Sequence, residues 1–193
     1  MVLVLASQSP RRAEILRQAG VSFTIRAASV DETPLPQEKP EEYVRRLAEV
    51  KAWAVQAAPH ETVLGADTTV VIDGRMLFKP DHAADARLML ETLSGRCHQV
   101  LTGICLRRGN KRICDWAATQ VWFAAMTAQE IDEYVASGEP MDKAGAYAIQ
   151  GYAGRFIPRI EGCYFNVVGL PLARLTHALT QLGWSEDNSS TVM

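Results

Sequence analysis

The sequence predicts an α/β fold. Three observations carry this: β-rich apolar runs alternate with stretches of helical spacing, turn chemistry separates them, and no internal repeat or low-complexity block interrupts the pattern. At 193 residues the chain suffices for one medium domain or two small lobes. A domain of that size buries roughly 70% of its unfolded surface and needs no disulfide or structural metal.

The elements follow in order. Residues 1–6 form an apolar strand run, and Ser7-Gln8-Ser9-Pro10 supplies turn and helix-start chemistry before an amphipathic helix with Ile15, Leu16 and Ala19, stopped by Gly20. Phe23-Thr24-Ile25 is a short strand leading into an acidic, proline-rich loop over 31–40, and a second helix is expected over 40–58. A strand pair is expected over 63–72, VLGAD then TTVVI, closing at the Asp73-Gly74 turn. Residues 81–93 have helical spacing in Ala83, Ala86, Leu90 and Leu93, and Ser94-Gly95 ends them. Two antiparallel strands over 99–107 and 111–123 are joined by Gly109-Asn110, and a helix over 126–137 is broken by Gly138-Glu139-Pro140. A glycine-rich stretch over 144–154, a short strand over 155–160 and a last helix over 170–182 complete a single domain, 1–184, with a polar tail over 185–193.

Composition excludes several classes. With 20 basic and 22 acidic residues and a formal net charge of −2, nothing advertises a nucleic-acid or anionic-membrane partner, so any phosphate chemistry must be local. The first apolar run lacks a basic flank and is too short for a signal peptide. Charged residues interrupt every run before the roughly 20 apolar residues of a membrane span, so a cytoplasmic protein is expected. Cys97, Cys105, Cys114 and Cys163 form no CxxC pair, and Cys97-His98 is only a neighbour pair, so all four are expected as reduced core thiols. Oligomeric state is open, with a homodimer allowed.

Four polar clusters carry chemistry. In Ser7-Gln8-Ser9-Pro10-Arg11-Arg12, helix-start N–H groups, hydroxyls and two guanidiniums could meet a polyphosphate, although read alone the hexapeptide is more often an ordinary N-cap with solvated arginines. Gly65-Ala66-Asp67-Thr68 places a carboxylate in an apolar run, where it wants a metal, a cation or a proton, or else caps a turn. Lys79, before Pro80, and Lys51 are candidate point charges for phosphate. The run from Ser137 to Gly151 contains no Walker or dinucleotide fingerprint, but its glycines admit close backbone approach and Gln150 offers an amide to a base edge.

Together the segments ASQSPRR, GADT, KP, LSGRCHQVLTG, SGEPMDKAGAYAIQG and GCYFNVVGLP resemble the Maf family of nucleotide pyrophosphatases from Leu3 to about Leu182. Cys163 stands where the family pattern has serine. The resemblance implies an elongated, two-lobed α/β fold with a mixed sheet and a central cleft. It also implies hydrolysis of nucleoside triphosphates to the monophosphate and pyrophosphate with a divalent cation, Mg²⁺ or Mn²⁺. By the same carry-over Asp67 is the catalytic aspartate, Arg12, Thr68 and Gln150 set base choice, and Ser7, Arg11, Arg12, Lys51 and Lys79 bind phosphate. Asp67 and Glu32 are the implied metal ligands.

Arg12, Thr68 and Gln150 resemble the branch acting on dTTP and UTP, and modified pyrimidine nucleotides fit the same reading. The sister branch acting on 7-methyl-GTP is the alternative. From another class, a regulator of cell division acting through protein contacts would not need Asp67. A nucleic-acid-binding module lacks the basic face that phosphate tracking requires.

Overall fold

The computed structural model describes residues 2–27 and 29–184. The polar tail expected over 185–193 lies outside the described residues. In chain order the regular elements are β1 (Val2–Leu5), α1 (Pro10–Gln18), β2 (Phe23–Ile25), α2 (Pro40–Ala54), β3 (Glu61–Ile72), β4 (Arg75–Leu77) and α3 (Ala83–Leu93). Then come β5 (Cys97–Arg108), β6 (Lys111–Trp122), α4 (Ala128–Ala136), β7 (Arg159–Glu161), α5 (Tyr164–Val168) and α6 (Leu172–Gln181). The expected α/β class is borne out.

The strands form one seven-stranded sheet in the order β2-β1-β3-β5-β6-β7, with β4 paired to β3. It is mixed: β1 runs parallel to β2 and β3, while β4 is antiparallel to β3 and β7 to β6. Among the described residues no helix is long and apolar enough to cross a membrane.

The chain divides into two compact units. The first comprises the residues through Asp67, then Thr102–Ala117 and the chain from Gly169. Its organising contact is α2 against the sheet. A Cβ on Gly65 would stand 2.0 Å from the Ala48 carbonyl oxygen, and one on Gly103 would stand 2.2 Å from that of Val44. Two side-chain-free positions, in β3 and β5, therefore let the helix backbone lie directly on the strands. Val4, Ala6, Ala48, Ala52, Val63 and Cys105 fill the core around that approach.

Helix α2 stops at Ala54, short of the expected residue 58, because Val55 turns extended and Arg107 donates to the Ala52 and Val55 carbonyls. A cation at the helix end satisfies acceptors that another turn would have used. The expected strand pair over 63–72 is instead the single twelve-residue strand β3. Residues 61–64 pair with β1, β5 lies on the other side of β3 in the sheet, and Gly65 serves close packing rather than a turn. The cysteine expectation also needs correction. Cys105 and Cys114 form a disulfide across the β5–β6 connection, Cys97 is exposed, and Cys163 is only partly buried.

The second unit comprises Thr68–Leu101 and Ala118–Val168. Val70, Ile72, Leu90, Leu93, Val121, Tyr134, Tyr147 and Phe156 form its core. Helix α3 is N-capped by His82, which accepts from the Asp85 N–H, and α4 by a Thr127–Glu130 capping box. The strand expected over 155–160 is displaced: Tyr152–Phe156 is 3₁₀, and β7 begins only at Arg159. Helix α5 was not foreseen.

His98 is buried in this unit, with Nε2 2.7 Å from the Tyr147 hydroxyl and the ring against Phe123. Burial lowers its pKa from the ordinary 6.5 to about 4. A group depressed in the fold contributes stability above its unfolded pKa and loses it as pH falls toward the folded value. Between pH 7 and pH 5 this residue should therefore remove about 2 kcal/mol of unfolding free energy. That window lies above the one for Glu61, whose carboxyl is held down to about 2 by Arg26. Urea denaturation at the two pH values should show this loss in the parent and not in His98→Gln, which keeps an amide for Tyr147 but cannot titrate. An equal loss in both would remove His98 as its source.

Candidate active site

Asp67 sits in β3 two residues beyond Gly65, on the same face of the strand because side chains alternate. Lys51 lies on α2 one turn beyond Ala48, whose carbonyl faces Gly65. The close helix–strand contact thus aims Lys51 at Asp67, and Nζ donates to Oδ1 at 2.6 Å. The same ammonium reaches Glu32 Oε1 at 2.6 Å. One cation joins two carboxylates.

Glu32 belongs to the irregular segment before α2, and the helix holds that segment. The Tyr43 hydroxyl donates to the Glu32 carbonyl at 3.0 Å, and Arg46 donates to the Thr33 carbonyl at 3.2 Å. Arg46 also makes a two-pronged pair with the Glu38 carboxylate. From α1, the buried Arg12 donates Nε to the Gly169 carbonyl at 2.9 Å and Nη1 to Ser7 Oγ at 3.0 Å. Ser9 occupies the N-cap of α1 without a side-chain cap, and its N–H instead donates to Ser7 Oγ at 3.2 Å. Ser7 therefore holds a guanidinium and a helix start together.

Burial dominates the electrostatics. It pushes the Asp67 carboxyl above the usual carboxylate range, with Lys51 and Arg12 pulling the other way. It likewise lowers the Arg12 guanidinium, opposed by Asp67 and Glu32. A carboxylate raised by burial and held by cations is a better proton acceptor than a solvated one. The Tyr43 hydroxyl, raised by burial and by the fields of Asp67 and Glu32, stays a neutral donor.

Of the residues singled out from sequence, the first unit brings together Ser7, Arg12, Glu32, Lys51 and Asp67, with the half-buried Arg11 beside Arg12 on α1. Thr68, Lys79 and Gln150 belong to the second unit, where Lys79 and Gln150 are exposed and Thr68 is half-buried in β3. Sequence reasoning missed Tyr43. The signal was present, since Tyr43, Leu47 and Lys51 recur every fourth residue along one face of α2. Asp67 and Glu32 are the two carboxylates that meet at the Lys51 ammonium. Among the described residues no three His, Cys, Asp or Glu side chains gather for a closed protein cage.

The fold is shared with a HAM1 protein from Coxiella burnetii, at a TM-score of 0.51 and 18% identity over 94% of this chain and 99% of that one. These are α/β proteins of one architecture. The chain belongs to the Maf family, since residues 2–182 match the Maf-like protein. It is similar to a Symbiobacterium thermophilum protein named dTTP/UTP pyrophosphatase, with 52% identity over 94% of each chain. A Pseudoalteromonas atlantica protein of the same name is 48% identical over 96% of this chain and its own full length.

Removing the Lys51 charge leaves a buried carboxylate with less compensation. Lys51→Met should lower unfolding free energy by on the order of 3 kcal/mol. Adding Asp67→Asn should recover part of that loss. Denaturant titration of the two single variants and the double gives the coupling, and additive effects would show that the pair is not an energetic unit.

Proposed function

We propose that this chain hydrolyses dTTP and UTP to the monophosphate and pyrophosphate, and accepts modified pyrimidine nucleotides of the same shape, in the cytoplasm. The observation that carries the substrate is the name shared by relatives 48–52% identical over nearly the whole chain. The reaction is supported by a buried aspartate flanked by a lysine and an arginine.

Water attacks the α-phosphorus, the bond from that phosphorus to the bridging oxygen breaks, and pyrophosphate leaves. Asp67 orients the water and takes its proton. Arg12, Arg11 and Lys51 stabilise negative charge on the triphosphate, Lys79 adds a further cation, and Ser7 holds Arg12 in place. Asp67 and Glu32 would hold Mg²⁺ or Mn²⁺, which would supply charge neutralisation for the triphosphate. Two carboxylates converging on one ammonium suit such an ion, since magnesium commonly takes one or two carboxylates plus substrate phosphates. Gln150 reads the pyrimidine, its amide pairing with O4 and N3–H, and Thr68 and Arg12 restrict the base further.

Pyrophosphate release from a nucleotide panel tests this reading. dTTP and UTP should be cleaved well ahead of CTP, ATP and 7-methyl-GTP, chelator should abolish turnover, and Asp67→Asn should lose about 10²-fold or more while remaining folded. Equal kcat/KM for dTTP and 7-methyl-GTP would overturn the substrate, and normal turnover by Asp67→Asn would overturn the catalytic assignment.

A further inference from the structure

The segment carrying Gln150 is fixed from one side by a single carboxylate. Glu139, in a 3₁₀ turn just after α4, accepts the Tyr134 hydroxyl on Oε1 at 2.8 Å and the Tyr152 N–H on Oε2 at 3.2 Å. The Tyr134 hydroxyl in turn accepts the Ala148 N–H at 3.3 Å. Residues 148 and 152, on either side of Gln150, are thereby tied to the same short network.

Gly151 closes it. A Cβ there would stand 2.2 Å from Glu139 Oε1, so this carboxylate occupies the space that any side chain would need. The Tyr152 ring stacks on Tyr134 with centroids 5.1 Å apart and planes 11° apart, and the Arg155 guanidinium lies 3.8 Å over its centre. Lys143 donates to the Glu139 backbone carbonyl, holding the carboxylate's own turn. Within residues 148–152, Gln150 is the exposed side chain able to pair with a base, while Ala148 is buried and Tyr152 half-buried.

We infer that Glu139 is a positioning residue for base recognition: it fixes the backbone around Gln150 so that the amide meets the nucleotide in one orientation. This rests on the reading of Gln150 as the base contact. An amide can flip, and its discrimination between a donor–acceptor edge and the reverse depends on being held. A displacement of about 1 Å in a positioning group can cost about 10²-fold in rate. Its members, Tyr134, Glu139, Ala148 and Tyr152, are none of the residues assigned to the triphosphate or the attacking water, so its loss should fall on base choice.

The test is kcat and KM for dTTP and CTP in the parent, Glu139→Ala, Glu139→Gln, Gln150→Ala and the Glu139→Ala/Gln150→Ala double variant. Glu139→Ala and Gln150→Ala should each lower the dTTP:CTP ratio of kcat/KM by about tenfold or more, and the double should lower it no further than Gln150→Ala. Glu139→Gln, which keeps an acceptor for Tyr152, should hold the ratio within about threefold of the parent. If Glu139→Ala does not fold, Tyr134→Phe, which removes only the hydroxyl between Glu139 and Ala148, should still lower the ratio by about threefold or more. Equal losses on both nucleotides, with the ratio unchanged in Glu139→Ala or Tyr134→Phe, would reduce Glu139 to a structural role and overturn the inference. A ratio unchanged in Gln150→Ala itself would instead refute the base-contact reading, and the inference with it.

Discussion

The first unit depends on the approach of α2 to β3 at Gly65. Helices normally pack on sheets through side chains, but here the strand offers only hydrogen at the crossing and the helix backbone descends onto it. Because Asp67 follows two residues later on the same face, and Lys51 follows one helical turn after Ala48, the contact fixes a charge pair as well as a packing distance. A larger residue at position 65 would move the helix, and with it the ammonium.

That geometry explains how a carboxylate survives inside an apolar strand. Burying an unpaired carboxylate costs several kcal/mol, and the fold answers with one lysine shared between two acids and a buried arginine nearby. The cations have a second use under the proposed chemistry, because charge that stabilises Asp67 before substrate arrives is already placed for a triphosphate. Ser7 and the Gly169 carbonyl hold Arg12, so little of that arrangement must be built during the reaction.

Much of this was legible in the chain. Asp67 stood out because a charge interrupts an apolar run, and Arg12 because helix-start N–H groups, hydroxyls and guanidiniums could meet a polyphosphate. The errors share one cause, which is that local residue chemistry does not say what long-range packing will do with it. Gly65 and Asp67 suggested a turn, yet β3 runs through them as one strand, paired with β1 before them and with β4 after them. Helix α2 stopped early because Arg107, more than 50 residues away, claims its last carbonyls. Tyr43 and Glu139 went unread because each acts through a fold-dependent partner, the Glu32 carbonyl in one case and the Tyr152 N–H in the other. The disulfide was within reach: Cys105 and Cys114 stand equally far from the Gly109-Asn110 turn, which makes them cross-strand neighbours in a two-residue hairpin.

The central claim is that the Asp67 cluster directs water at the α-phosphorus. Hydrolysis of dTTP in ¹⁸O-labelled water, limited to a single turnover and read by mass spectrometry of both products, tests it directly. The account predicts one labelled oxygen in the monophosphate and none in the pyrophosphate. Label in the pyrophosphate, or release of orthophosphate instead, would place the attack on another phosphorus and contradict it.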